Sequence, residues 1–325
     1  MRKKLCLLLC ALLTAGILAG CGGGDGGSAV STGGNLKFST GNDQGTYFAF
    51  GSVLAGQVSS TTNTTVTAIS SGGSQANIGA LSKGDAQLGF VQSDVMAYAY
   101  NGTNLFTEPV TDFSTIAALY MEQVQIVTLN PEIRSVADLA GKTVSVGEAG
   151  SGVYFNALDI LSAYGIDVTS GLNPVYESFG TSAESLQDGK IDAAFIVAGA
   201  PTTAVTSLSA SRSVYLVSLD DEHIDTLLSA SPYYTKTVIP ADTYNMPEDV
   251  TTVAVGAVVI ARDDLSEDDA YNFVSSVFDN IETITASHAK GAELNLDFAS
   301  SVTSVPYHPG AAKYFSEKGY TVPTK

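Results

Sequence analysis

One pattern occurs twice in this chain, and the spacing of the two copies constrains the fold more than any other feature. Gly45-Thr46-Tyr47-Phe48 returns as Gly152-Val153-Tyr154-Phe155 at an offset of 107 residues. Leu81…Gly84…Phe90 returns as Leu186…Gly189…Phe195 at an offset of 105. Each copy opens on a strand-like run, residues 36–40 or 143–146, and passes through a Gly-rich loop into a helical pattern. Each then closes on Gly and another strand. Two such units predict two similar α/β lobes with a cleft between them, and clefts of that kind are preferred sites for small ligands. A single doubly wound α/β domain is the alternative.

The first residues read as a leader. Arg2, Lys3 and Lys4 form a positive n-region, residues 5–19 carry no charge, and Leu18-Ala19-Gly20-Cys21 reads as a lipobox. We expect residues 1–20 to be a lipoprotein signal peptide, Cys21 to be lipidated, and the Gly/Ser-rich residues 21–35 to form a flexible tether. The body is then exported and anchored by lipid to the extracytoplasmic face of the membrane. Cys6 and Cys10 leave with the leader, so the mature body has no thiol for catalysis or metal binding and no disulfide. Removing the three basic residues of the leader leaves 12 Lys and Arg against 33 Asp and Glu. Such a surface disfavours nucleic acid and anionic lipid as partners of the body. An anionic ligand would have to be met locally, against that field.

The remaining length suits two domains. Strong strand patterns at residues 115–129, two runs around Met121-Glu122-Gln123, and at 252–261 mark the crossings between lobes. Lobe I is expected from residues 36–122 and 251–325, and lobe II from 123–250. Helical spacing is expected over 47–58, with Phe48, Val53 and Leu54 facing the core. Ser74 is expected to cap a helix over 75–81 and Ser93 one over 94–100, with further helices over 153–164, 266–280 and 311–318 and one starting at Pro201.

Four loops fall at the carboxyl ends of strands, where open α/β sheets bind ligands. They are residues 41–47, which hold Gly45, Thr46 and Tyr47; Gln92-Ser93-Asp94; residues 147–154, which hold Ser151, Gly152, Val153 and Tyr154; and residues 198–201, which hold Gly199 and Ala200. Glycines admit a close backbone approach, and the free N–H groups of the following helices suit a carboxylate. Thr46, Ser74 and Ser151 add hydroxyl donors. Body arginines are confined to Arg134, Arg212 and Arg262, none evidently placed as a carboxylate clamp.

Enzymatic motifs are absent. Neither Ser74 nor Ser151 completes Gly-x-Ser-x-Gly, and there is no phosphate loop and no His-Glu-x-x-His. An exported serine hydrolase using Ser74 or Ser151 is the reading from another class. His308-Pro309-Gly310 reads as a helix start, and so does the acidic run Asp263-Asp264 with Glu267-Asp268-Asp269. Calcium there is a lesser alternative. We expect no cofactor and no metal.

These marks together resemble the TAXI family of TRAP-transporter solute receptors over residues 36–319. They are Gly45-Thr46-Tyr47, Gly73-Ser74 with Asn77, Phe90-Val91-Gln92-Ser93-Asp94, Gly150-Ser151-Gly152, Asp192-Ala193-Ala194-Phe195 with Gly199 and Pro201, and His308-Pro309-Gly310-Ala311 with Lys313-Tyr314. Residues 41–45 depart from the family, which usually has more glycine there. The resemblance implies a two-lobed periplasmic-binding-protein fold of type II with a hinge and an inter-lobe cleft. It places Asn77 with the site residues. It implies capture of a small organic acid or amino acid, glutamate-like, by a monomer that delivers it to TRAP membrane subunits. An ABC importer is the alternative partner.

Overall fold

In the computed structural model, which describes residues 33–325, one sheet runs in the order β2-β1-β3-β10-β4-β7-β5-β6, with β8 on β4 and β9 on β10. The first half builds β1 (Asn35–Ser39), α1 (Thr46–Thr61), β2 (Thr65–Ile69), α2 (Ser74–Lys83), β3 (Leu88–Gln92) and α3 (Ser93–Asn101), followed by the long β4 (Phe113–Thr128). The second builds β5 (Thr143–Ser145), α4 (Gly152–Ala163), β6 (Asn173–Val175), α5 (Phe179–Gln187), β7 (Ala193–Ala198) and α6 (Thr203–Ser209). Then come β8 (Tyr215–Leu216), α7 (Asp221–Ala230), β9 (Thr235–Ile239), β10 (Val250–Arg262), α8 (Glu267–Phe278), α9 (Ile281–Ser287), α10 (Leu296–Ala299) and α11 (Pro309–Glu317).

The sequence repeat is a repeat of topology. β1 pairs in parallel with β2 and β3, and β5 pairs in parallel with β6 and β7. Each trio then meets one antiparallel strand, β10 against β3 and β4 against β7. β4 and β10 pair with each other from Phe113/Arg262 to Gln123/Ala254 and so join the two halves. Their bulges fall between Ala257 and Val258 and between Val259 and Ile260.

Each half has its own apolar core. Phe38, Phe50, Leu54, Phe90 and Phe273 anchor the first; Val144, Ile160, Leu161 and Phe195 anchor the second. Phe155 of α4 packs with the first core, against Tyr98 and Phe106, so the halves also touch through side chains.

Several local expectations need correction. Phe48 is only partly buried and lies outside the core, whereas Val53, also partly buried, packs against it and Leu54 is buried as expected; the buried stripe of α1 is Tyr47, Phe50, Leu54 and Val58, the i, i+3, i+4 face that lies over the sheet. Ser74 and Ser93 are the first residues of their helices and cap neither. Their hydroxyls turn to neighbouring strands, where Ser74 Oγ accepts from the Gln92 N–H and Ser93 Oγ from the Gly256 N–H. The two runs at residues 115–129 are one sixteen-residue strand, because both halves hydrogen-bond to it. Pro201 lies in a cis Ala200–Pro201 bond ahead of the N-cap Thr202 and does not start α6. β1 begins at Asn35, inside the expected tether. The leader and Cys21 lie outside the described residues.

Candidate functional site

The carboxyl ends of β1, β3, β5 and β7 converge on one cavity of about 40 Å3. Gly41, Asn42, Gly45, Thr46 and Tyr47 reach it from the loop after β1 and the start of α1. Gly72, Gly73 and Ser74 reach it from the start of α2, and Gln92 from the end of β3. The second half contributes Glu148, Ser151, Gly152 and Val153 around the start of α4, Glu177 just ahead of α5 and Phe179 at its first position, and Val197 and Ala198 at the end of β7. Glu122 enters from the middle of β4.

Of the residues named from sequence, Gly45, Thr46, Tyr47, Ser74, Gln92, Ser151, Gly152 and Val153 line this cavity. Asn77, Ser93, Asp94, Tyr154, Gly199 and Ala200 are not among the lining residues and act behind it. Asn77 accepts from Ser39 Oγ and donates to the carbonyls of Thr40 and Phe90, tying α2 to β1 and β3. The Gly199 carbonyl accepts from Thr46 Oγ1 at 2.8 Å, and the Ala200 N–H donates to Gln123 Oε1 at 3.0 Å. Tyr154 stands edge-on to Tyr176, away from the cavity. The paired tyrosines of the repeat therefore have different surroundings, since Tyr47 is buried and stacked on Phe90 at 4.5 Å.

The two halves are closed on one another. A chain of side-chain hydrogen bonds crosses between them at Asp94, Asn156 and Gln92. Asn156 Nδ2 donates to Asp94 Oδ2 and to Tyr234 Oη, both at 2.8 Å, and Asn156 Oδ1 accepts from Gln92 Nε2 at 3.0 Å. Tyr234 in turn donates to Asp159. Because Asn156 spends its amide on the acidic side, its oxygen faces Gln92, and the Gln92 oxygen is left as an acceptor with no partner. Backbone contacts reinforce closure, with Ala76 N–H on the Gly150 carbonyl and Ala204 N–H on the Gln44 carbonyl.

Sequence reading missed the acidic lining. Glu122 is 2% exposed and accepts a 2.6 Å hydrogen bond from Tyr47 Oη. Burial pushes its carboxyl up to about 8, against the Tyr47 hydrogen bond, which favours the ionised form. Asp94, also buried, is pushed up to about 7 by desolvation. Glu148 Oε2 accepts from Asn42 Nδ2 at 3.5 Å, and one Glu177 oxygen accepts from Ser185 while the other is buried without a partner. Glu148 sat within a loop marked from sequence; nothing local marked Glu122 or Glu177.

No histidine is among the lining residues. His308 is engaged at the start of α11, with Nδ1 accepting from the Gly310 N–H and Nε2 donating to the Leu265 carbonyl. Ser74 Oγ accepts from the Gln92 N–H and Ser151 Oγ from the Tyr154 N–H as the cap of α4, and neither hydroxyl is hydrogen-bonded to a histidine or carboxylate. In the acidic run, Asp263 pairs with Lys325, Asp264 with Arg262, and Asp269 accepts from Thr64, Ser266 and Gly34. No metal-sized cluster forms among the described residues, and none of their helices is long and apolar enough to cross a membrane.

Residues 38–319 match the model of the NMT1-like family, and the chain belongs to that family. Among solved structures it is similar to a protein from Bordetella bronchiseptica RB50, at 13% identity over 87% of this chain and 88% of that one with a TM-score of 0.52. It is also similar to the periplasmic aliphatic sulphonate binding protein SsuA from Escherichia coli, at 16% identity over 87% and 90% with a TM-score of 0.45. A third is the periplasmic substrate-binding protein of an ABC transporter from Coxiella burnetii, at 12% identity over 81% and 98% with a TM-score of 0.47. The fold is the two-lobed α/β fold of periplasmic binding proteins.

Proposed function

We propose that this member of the NMT1-like family is an extracytoplasmic solute-binding protein that closes its lobes on a small organic ligand and hands it to a membrane importer. The observation that carries this reading is the convergence of both copies of the repeat on one cavity, Gly45-Thr46-Tyr47 from one lobe and Gly152-Val153 from the other. The lobe boundaries are taken as residues 36–122 with 251–325, and 123–250. In support of the first crossing, β4 passes to β7 at Gln123; on β10, residues 250–254 still pair with β9, and Val253 and Val255 pack in the second core, so that crossing falls a few residues later than 251. Cys21 as the lipid anchor remains part of the proposal.

For the partner, an ABC importer is the better-supported reading. The relative from Coxiella burnetii belongs to an ABC transporter, whereas delivery to TRAP subunits rests on sequence resemblance alone. Binding is tested by thermal shift of the purified protein against amino acids, amines, dicarboxylates and sulfonates, since a ligand specific to the folded form raises the melting temperature. A chain that responds to none of them is not the receptor proposed. The partner is tested by co-purification from the native membrane: an ATPase subunit in the complex supports the ABC reading, and a large permease without one supports TRAP.

A further inference from the structure

The lining of the cavity is unbalanced in a way that selects a charge. Three carboxyl groups face it, Glu122 from the crossing strand and Glu148 and Glu177 from the second lobe, and neither Lys nor Arg does. Lys290, which the Glu122 carboxyl feels, is itself ion-paired with Glu293 and stands over the Tyr120 ring at 5.5 Å. The unpartnered buried atoms give an independent indication. Gln92 is 2% exposed, and its side-chain oxygen, which packs against Gly152 at the cavity wall, has no donor; one Glu177 oxygen is buried in the same condition. Both are acceptors. A buried acceptor without a donor is left desolvated and unpaired, so a ligand that brings N–H groups relieves a cost that an anion would increase.

We propose that the cavity is an ammonium site: the ligand is a small amine, cationic or zwitterionic, whose N–H groups are taken up by Glu122, Glu177 and the Gln92 oxygen. This rests on the solute-binding reading above and narrows its ligand class, excluding dicarboxylates and sulfonates. The helix starts that open on the same cavity, α1, α2, α4 and α5, supply partial positive charge. Each amounts to roughly half a charge, and Glu122, whose carboxyl is pushed up to about 8 by burial, takes on its negative charge in full only when a cation meets it. The helix starts can meet a single carboxylate on a zwitterion such as an amino acid. They cannot make the site favourable for a ligand that is only anionic.

The test is calorimetry and thermal shift on the full chain with matched pairs: alanine against propionate, aspartate against succinate, and putrescine against succinate. The expected result is binding within the amine set alone, weakened at least tenfold by Glu122→Gln, which keeps the hydrogen bond from Tyr47, and also weakened by Glu177→Gln. Binding of an acid whose amine counterpart fails to bind would overturn the ammonium site and leave the receptor reading intact. Unchanged amine affinity in both folded variants would overturn it as well. Silence across both sets would remove the receptor reading on which it rests.

Discussion

Gly152 of the second lobe lies against Gln92 of the first so closely that a Cβ on Gly152 would stand 1.7 Å from Gln92 Oε1 and 2.7 Å from Ser74 Oγ. The contact joins lobes, so its absence of a side chain is a condition for closure. Gly152→Val is therefore expected to hold the lobes apart while each keeps its own core. Ligand affinity should fall on the order of tenfold to a hundredfold, the roughly 1–3 kcal/mol of forced overpacking. Ser151→Ala removes one capping hydroxyl and should cost about 1 kcal/mol. Calorimetry measures the affinities, and solution scattering with ligand should give Gly152→Val the larger radius of gyration.

Asn156 is the middle member of the inter-lobe bridge, and Asn156→Leu would leave Gln92 Nε2 and Asp94 Oδ2 buried without their partner. The expected loss is about 1–3 kcal/mol for each orphaned group. Thermal denaturation measures it. A variant as stable as the parent, with unchanged scattering, would show that these bonds do not hold the lobes.

The buried carboxyls give a pH dependence with a definite sign. Glu122 titrates near 8 and Asp94 near 7 in the fold, against ordinary values of 4.5 and 3.8. The folded state thus keeps protons that the unfolded chain has lost. Their contribution is complete below about pH 4 and is lost as pH rises through 7 to 8. The melting temperature of the parent should fall relative to Glu122→Gln between pH 5 and pH 9, as followed by calorimetric scans. Ligand binding carries the complementary sign. An amine favours ionised Glu122, so its affinity should rise with pH and level off near pH 8, whereas an anion would show the reverse.

Gly310 marks a structural limit far from the cavity. A Cβ there would stand 2.1 Å from the Glu267 carbonyl oxygen and 3.0 Å from the Ala270 side chain, where α11 crosses the start of α8. Gly310→Ala should destabilise the first lobe by roughly 1–3 kcal/mol through overpacking. Any ligand affinity should survive in the fraction that remains folded. Denaturant titration monitored beside calorimetry separates the two effects.

The two-lobed α/β plan is legible in the chain before it folds, because the signals for it are local. Glycines at the ends of strands, helical periodicity and the doubled Gly-x-Tyr-Phe start are each legible within a short window, and their recurrence fixes which loops share an end of the sheet. Eight of the named site residues reached the cavity for that reason. The acidic lining of the site, by contrast, arises from long-range packing. Glu122 lies in an apolar sixteen-residue strand and meets Tyr47 from 75 positions away, where β4 passes beneath α1. Its environment depends on which elements cover that point, and no window of sequence contains them. The same holds for Ser74 and Ser93, which local pattern assigned as caps. Their hydroxyls found strand N–H groups at Gln92 and Gly256, partners that exist only once α2 and α3 have packed on the sheet.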